Sequence, residues 1–238
     1  MKKRAVQPLL LPARPPGRFP DPNDYDAEGL VAVGGDLEPE RLLLAYRSGI
    51  FPWYSEDTVP LWWSPDPRAL LAPERLHVSR SLQKTIRRGG FALTWNRCFE
   101  RVMGECGRGR EQGTWILPEM LAAYVRLHEL GHAHSLEVWQ GERLVGGVYG
   151  VQVGGLFAAE SMFHRATDMS KVALVALVRS LVAGGIELLA AEFVTDQLAT
   201  LGDAAMPRRE YFRRAAVAAA RAVDLTALAP GLDAADAG

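Results

Sequence analysis

The chain has 238 residues, 27 Lys and Arg against 28 Asp and Glu, and 48% hydrophobic residues. That is enough for one large or two small domains with a buried core, and the composition excludes a disordered or fibrous protein. A net charge of −1 speaks against a nucleic-acid partner, which usually draws an overall basic excess. Two cysteines, Cys98 and Cys106, are too few for a disulfide framework or a four-cysteine zinc site and read as reduced thiols of a cytoplasmic protein. No run approaches the roughly 20 apolar residues of a membrane span, and no secretory signal pattern opens the chain.

In chain order, the first 20 residues are rich in Pro and Arg and read as extended, and Asp21 to Asp24 is a turn cluster. Gly34-Gly35-Asp36 precedes a short helix over Pro39 to Arg47, followed by an aromatic, Pro-rich stretch from Ile50 to Arg68. A domain boundary is placed near residue 66, leaving a small N-terminal domain (1–66) and a larger one (67–238). Ser79 caps a helix to about Arg88, closed by Gly89-Gly90. Pro118 starts a helix that ends near Gly131. His134 to Gln140, Leu144 to Val153 and Leu156 to Phe163 alternate and are separated by Gly turns, the pattern of an antiparallel meander. Asp168 or Ser170 then caps an apolar helix over Lys171 to Ala183, Glu187 to Val194 forms a buried strand, and Pro207 begins a last helix. The tail after about residue 230 reads as frayed. Helices, a meander, then helix–strand–helix make an α+β layout with a mostly antiparallel sheet.

His128-Glu129-Leu130-Gly131-His132 matches the helical zinc-protease signature, in which two His one turn apart share a metal and the Glu activates its water. The strand that follows ends the helix near Gly131 and splits the pair, and no third ligand follows. Helix C-terminal histidines that meet free carbonyls are the plainer reading, so no metal is assigned.

Arg80, Lys84, Arg87 and Arg88 fall on one helix face, with Leu82 and Ile86 on another. From His77 to Arg110 eight basic residues stand against two acids, so the near-zero global charge hides a local basic patch. A solvated face is the commoner meaning of such a run, but the absence of interleaved acids favours a phosphate backbone. Trp53, Trp62, Trp63 and Trp115 sit among Pro and Gly on loops, where indoles can stack on bases or pack in a core. Period two puts Glu160 on the strand face of Ala158 and Met162, and Glu192 lies in a second apolar strand. A carboxylate in such a place suits a cationic partner or an amine, or an ion pair with an Arg.

Taken together, GLVAVGGD (29–36), YRSGIFPWY (46–54), LWWSPDPR (61–68), HVSRS (77–81), GTWI (113–116), LHELGHAHSLE (127–137), LVGGVYG (144–150), ESMF (160–163), Ser170-Lys171 and PRREY (207–211) resemble the leucyl/phenylalanyl-tRNA–protein transferases. The resemblance implies a small N-terminal domain followed by an acetyltransferase-like (GNAT) domain. It implies transfer of Leu or Phe, less readily Met, from aminoacyl-tRNA to a protein whose N-terminus is Arg or Lys, marking it for degradation through the N-degron pathway. By resemblance the terminal adenosine meets Trp53 and Trp115, and Glu160 lies near the aminoacyl group. The aminoacyl side chain enters a pocket of Phe157, Met162 and Leu174, with Leu177, Leu181 and Leu189 matching in apolar character. Arg80, Lys84, Arg87 and Arg88 meet the tRNA backbone. The family's Asp-x-Gln is replaced here by Ala190 and Glu192, leaving Glu192 as the carboxylate available to hold or deprotonate the attacking amine. An aminoacyl ester is already activated, so no cofactor is required, and a monomer without membrane contact is expected. The rival readings are a non-catalytic tRNA-binding module, an acyl-CoA-dependent acetyltransferase, whose glycine-rich phosphate loop is missing before Lys171, and the zinc protease.

Overall fold

The computed structural model describes residues 6–14, 17–108, 113–191 and 203–232, together with residue 236. Two sheets organise them. The smaller has the order β1-β2-β4-β3, from β1 (Leu9–Leu11), β2 (Leu30–Gly34), β3 (Phe51–Pro52) and β4 (Leu61–Trp63), with α1 (Pro39–Arg47) between β2 and β3. These strands of two to five residues carry no alternation long enough to read from sequence. Trp62 and Trp63, expected on a loop, lie in β4, and Trp62 is fully buried. The Asp21 cluster is a single turn in which the Asp21 carboxylate accepts the Asn23 N–H at 2.9 Å.

The larger sheet joins β5 (Arg68–Leu71), β6 (Ala92–Trp95), β7 (Ala133–Gln140), β8 (Arg143–Val153), β9 (Leu156–His164), β10 (Leu188–Ala191) and β11 (Asp203–Met206) in the order β11-β5-β10-β9-β8-β7-β6. Its pairings are antiparallel except β9 with β10. Parallel neighbours need a crossover, and α5 (Met169–Ala183) supplies it. The expected meander is β7, β8 and β9. β5, β6 and α3 (Phe99–Gly107) were not anticipated. In α3 the glycines Gly104 and Gly107 dilute the apolar periodicity of Phe99, Val102, Met103 and Cys106.

Alternate residues on the strands feed two apolar clusters. Leu70, Ala158 and Ala190 pack with α1, α3, α4 (Pro118–Glu129) and α6 (Arg208–Ala219). Leu71, Phe157 and Leu189 pack with α2 (Arg80–Arg88) and α5. α5 is apolar nearly all round and is correspondingly buried. Asp168 is its N-cap residue, but the Asp168 carboxylate accepts from Thr85 Oγ1 at 3.1 Å and pairs with Lys171 at 3.6 Å rather than capping the helix.

Three arginines bind distant segments. Arg41 pairs with Asp36 at 3.0 Å and donates to Pro12 O at 2.9 Å. Arg208, at the start of α6, donates to the backbone oxygens of Tyr25, Asp26 and Ser64 at 2.7, 2.9 and 2.5 Å. Arg68 lies between the rings of Phe51 and Tyr211, 4.8 Å from each centroid. Gly29 allows the first two segments to meet: at φ +76°, an added Cβ would lie 2.0 Å from Ser64 O. Three residues beyond 230 are described: 231, 232 and 236. Gly231 N–H bonds Ser180 Oγ at 3.0 Å, and Asp236 is 1% exposed and bonds Arg179 at 2.8 Å.

Candidate active site

β8 and β9 pair in one register from Gly146↔His164 to Tyr149↔Ser161 and in another from Gly150↔Ala159 onward. Glu160 is therefore the extra residue of a β-bulge, a feature that re-aims a side chain. The bulge corrects the sequence expectation: Glu160 and Met162 do not share a face. Ala158 belongs to the α1 and α4 side, Met162 packs on the α5 side, and the Glu160 carboxylate turns toward α1.

There, Tyr46 at the end of α1 donates its hydroxyl proton to Glu160 Oε1 at 2.7 Å. The Tyr46 and Tyr124 hydroxyls are 2.5 Å apart. A phenol has one proton, so Tyr124 on α4 donates to Tyr46. Tyr149 of β8 packs edge-on to Tyr124, with centroids 6.1 Å apart. The chain Tyr124→Tyr46→Glu160 fixes one carboxylate oxygen. Neither tyrosine was singled out from sequence, although Tyr46 opens the segment 46–54; periodicity assigns a buried tyrosine to the core.

Trp53 and Trp115 line one cavity of about 1070 Å³, together with Tyr54, Thr58, Thr114 and Leu117. Trp53 is 41% exposed and Trp115 8%. Tyr54 donates to Glu119 at 3.3 Å, and burial, with that carboxylate beside it, raises its phenol pKa. Phe157, Leu174, Leu177, Leu181 and Leu189 share the α5-side cluster, with Met162 at its margin. Phe157 and Leu189 are register partners across β9 and β10, and 174, 177 and 181 share one helix face. Ala190 is buried between Leu70 and Ala158. Glu192 lies outside the described residues.

α2 begins at the Ser79 cap, whose hydroxyl accepts the Leu82 N–H at 3.3 Å. Leu82 and Ile86 are buried, while Arg80, Lys84, Arg87 and Arg88 are all exposed. Among the described residues none of these four cations makes an ion pair, in contrast to Arg108 and Arg165, which both meet Glu105 at 2.6 Å.

The His128–His132 segment is split as expected. α4 ends at Glu129, and Gly131 turns the chain at φ +78°. His128 stacks on Phe99 at 4.5 Å, and its Nδ1 lies 2.8 Å from Ala133 O. Cys98 and Cys106 are free thiols, and burial raises the Cys98 pKa to about 11, so it is not poised as a nucleophile.

The family model described as leucyl/phenylalanyl-tRNA protein transferase matches residues 70–216, and its N-terminal domain model matches 35–66. The leucyl/phenylalanyl-tRNA–protein transferase of an Anaeromyxobacter strain is 56% identical over 82% of this chain and 85% of its own length. Those of Magnetococcus marinus and Shigella dysenteriae are 52% and 49% identical, over 81% and 83% of this chain and 85% and 82% of theirs. The chain belongs to the leucyl/phenylalanyl-tRNA–protein transferase family. It is an aminoacyltransferase. Solved structures align weakly with this transferase: a ribosomal-protein-alanine N-acetyltransferase from Brucella melitensis has a TM-score of 0.33 at 15% identity, covering 48% of this chain and 88% of that one. Of the transferase's candidate residues, Trp53 falls within the N-terminal match, and Trp115, Glu160, the apolar set and α2 fall within the larger one. No helix among the described residues is long and apolar enough to cross a membrane.

Proposed function

We propose that this protein transfers leucine or phenylalanine, and less readily methionine, from aminoacyl-tRNA to the N-terminal Arg or Lys of an acceptor protein, marking it for N-degron degradation. On this reading it works as a cytoplasmic monomer of two units, 1–66 and an acetyltransferase-like 67–238. The observation that carries it is the joining of family membership to a site built for it. Two indoles share a cavity, a tyrosine chain holds the Glu160 carboxylate, and α2 presents a basic face with no ion pair among the described residues.

The chemistry needs positioning more than activation. The acceptor α-amine, with a reference pKa of roughly 8, attacks the ester carbonyl as the neutral base. A tetrahedral oxyanion forms and collapses, the C–O bond to the terminal ribose breaks, and the amine's proton ends on the departing hydroxyl. Trp53 and Trp115 hold the adenosine by stacking, at about 1–3 kcal/mol per base. The set of Phe157, Met162, Leu174, Leu177, Leu181 and Leu189 selects side chains unbranched at Cβ, with the modest discrimination that methyl groups allow. Glu160, whose carboxylate Tyr46 holds on the α1 side of the sheet, anchors an amine there, and Glu192 orients or deprotonates the attacking amine. The four α2 cations carry the tRNA backbone.

The test mixes purified protein with radiolabelled leucyl-tRNA and proteins bearing N-terminal Arg, Lys or Ala. Label is expected on the first two only; no transfer with intact tRNA binding would leave a tRNA-binding module. Glu160→Gln is expected to lower the rate at least tenfold, and Glu192→Gln to shift the pH–rate profile. A full rate for Glu192→Gln at every pH would remove that residue from the mechanism.

A further inference from the structure

Beside the large cavity is a second one, of about 440 Å³, lined by Ala27, Glu28, Trp53, Trp63 and Pro65. Trp53 lines both cavities, so the two share a wall. The Trp53 and Trp63 rings stand 6.0 Å apart at 72°, forming a corner. Trp63 Nε1 donates to Trp53 O at 2.7 Å, and Trp53 N–H bonds Leu61 O at 2.9 Å, so the corner is set before any ligand arrives. The loop that carries Glu28 is fixed too: Gly29 N–H bonds Asp26 Oδ1 at 2.9 Å, and Gly29 backs onto Ser64. The Glu28 side chain is exposed at the rim.

We propose that this corner receives the nucleobase immediately preceding the terminal adenosine of aminoacyl-tRNA, with Glu28 accepting a hydrogen bond from that base's exocyclic amine. The proposal rests on the reading of Trp53 and Trp115 as the adenosine platforms. A corner of two indoles and a proline suits a flat heterocycle, because every base has a π-face. The base before the adenosine is one nucleotide away, and a shared indole wall is where two consecutive bases of a single strand come to rest. Transfer RNAs end in C-C-A. Cytosine presents an N4 amino group, for which a glutamate is the matching acceptor. Uracil presents a carbonyl oxygen at the same place, which would face the carboxylate without a proton between them.

The experiment compares binding of stable amide-linked phenylalanyl analogues built on adenosine, on cytidylyl-adenosine, on uridylyl-adenosine, and on an abasic ribose joined to adenosine by the same phosphate. Cytidylyl-adenosine is expected to bind roughly tenfold or more tightly than adenosine, and more tightly than both the uridine and abasic forms. Glu28→Gln, whose amide can also donate, is expected to erase the preference for cytosine over uracil. Trp63→Ala is expected to collapse the ratio of cytidylyl-adenosine to abasic affinity. If the abasic form gains as much as the cytidine form, the gain is phosphate alone and the proposal is overturned. The comparison of bases uses the wild-type protein, so it stands even where a tryptophan variant fails to fold. The underlying adenosine reading fails separately, if Trp115→Ala leaves the affinity of the adenosine analogue unchanged.

Discussion

His134 is a base that folding keeps neutral. It is buried and stacks on Trp95 at 5.2 Å. Its two nitrogens face fixed partners. Asn96 Oδ1 accepts from Ser135 N, so Asn96 Nδ2 must donate to His134 Nδ1, at 2.9 Å. The amide nitrogen of Gln152 donates to Gly154 O and Val223 O, so Gln152 Oε1 must accept from His134 Nε2–H, at 3.0 Å. A second ring proton on Nδ1 would point at a donor. Burial first, outweighing the Gln152 bond, lowers the pKa from 6.5 to about 4. Between those values the unfolded chain holds a proton that the folded one does not, so stability rises with pH across that window. The full span is on the order of 3 kcal/mol. Urea unfolding from pH 4 to 7 is expected to show this slope, and His134→Gln to flatten it; an equal slope in the variant would place the titration elsewhere. The same hydrogen-bond arithmetic orders the Tyr124, Tyr46 and Glu160 chain, in which each phenol has only one proton to give.

At the level of elements, α2 is built to present charge. Ser79 caps it, Leu82 and Ile86 fasten it against α5, and Gly89 ends it at φ +65°. Exposed cations away from packing contribute little to stability, so neutralising Lys84, Arg87 and Arg88 to Gln together is expected to leave the melting temperature nearly unchanged. The same triple variant is expected to weaken tRNA binding and to reduce the slope of log affinity against log salt by about 0.7–0.9 per lost phosphate contact. An unchanged salt slope would remove this face from the interface. α2 also illustrates what can be read from sequence. Its cap, apolar pair and closing glycines lie within a dozen residues, and the helix runs over the residues expected; α1 does the same over Pro39–Arg47. β5 and β6 have four residues each and owe their conformation to distant partners, so nothing local announces them. The candidate indoles, the apolar set and Glu160 can be named as residues from sequence. The direction of Glu160 was not, because a bulge is a mismatch between two strands and one strand's alternation cannot reveal it.

In the whole molecule, arginine hydrogen bonds add to a shared apolar cluster in fastening the small sheet to the large one. Arg208 gives its guanidinium protons to three backbone oxygens of residues 25, 26 and 64, and its own N–H reaches the Asp66 carboxylate at 2.9 Å. Deleting the guanidinium takes the donor from these oxygens, of which those of Tyr25 and Ser64 are in buried bonds. Hydrogen bonds to charged groups contribute about 1.5–3 kcal/mol each, so Arg208→Ala is expected to cost roughly 3 kcal/mol or more of unfolding free energy in urea denaturation. Arg208→Lys should recover only part, since one ammonium cannot reproduce a planar fork. An unfolding free energy within about 0.5 kcal/mol of wild type, the scatter of ordinary surface substitutions, would show that the sheets hold together without it.

The placing of β5 sets a schedule for synthesis. The strand is complete once residue 71 is joined, yet its neighbours β10 and β11 begin at residues 188 and 203. At ribosomal speeds that delay is on the order of 10 s, during which Ala69, Leu70 and Leu71 have no native strand on either edge. The residues beside them are the kind that discourage wrong partners: Asp66-Pro67-Arg68 before and Pro73-Glu74-Arg75 after. An inner strand that must wait for both neighbours is thus bracketed by proline and charge, which guard the nascent chain against self-association until β10 and β11 emerge.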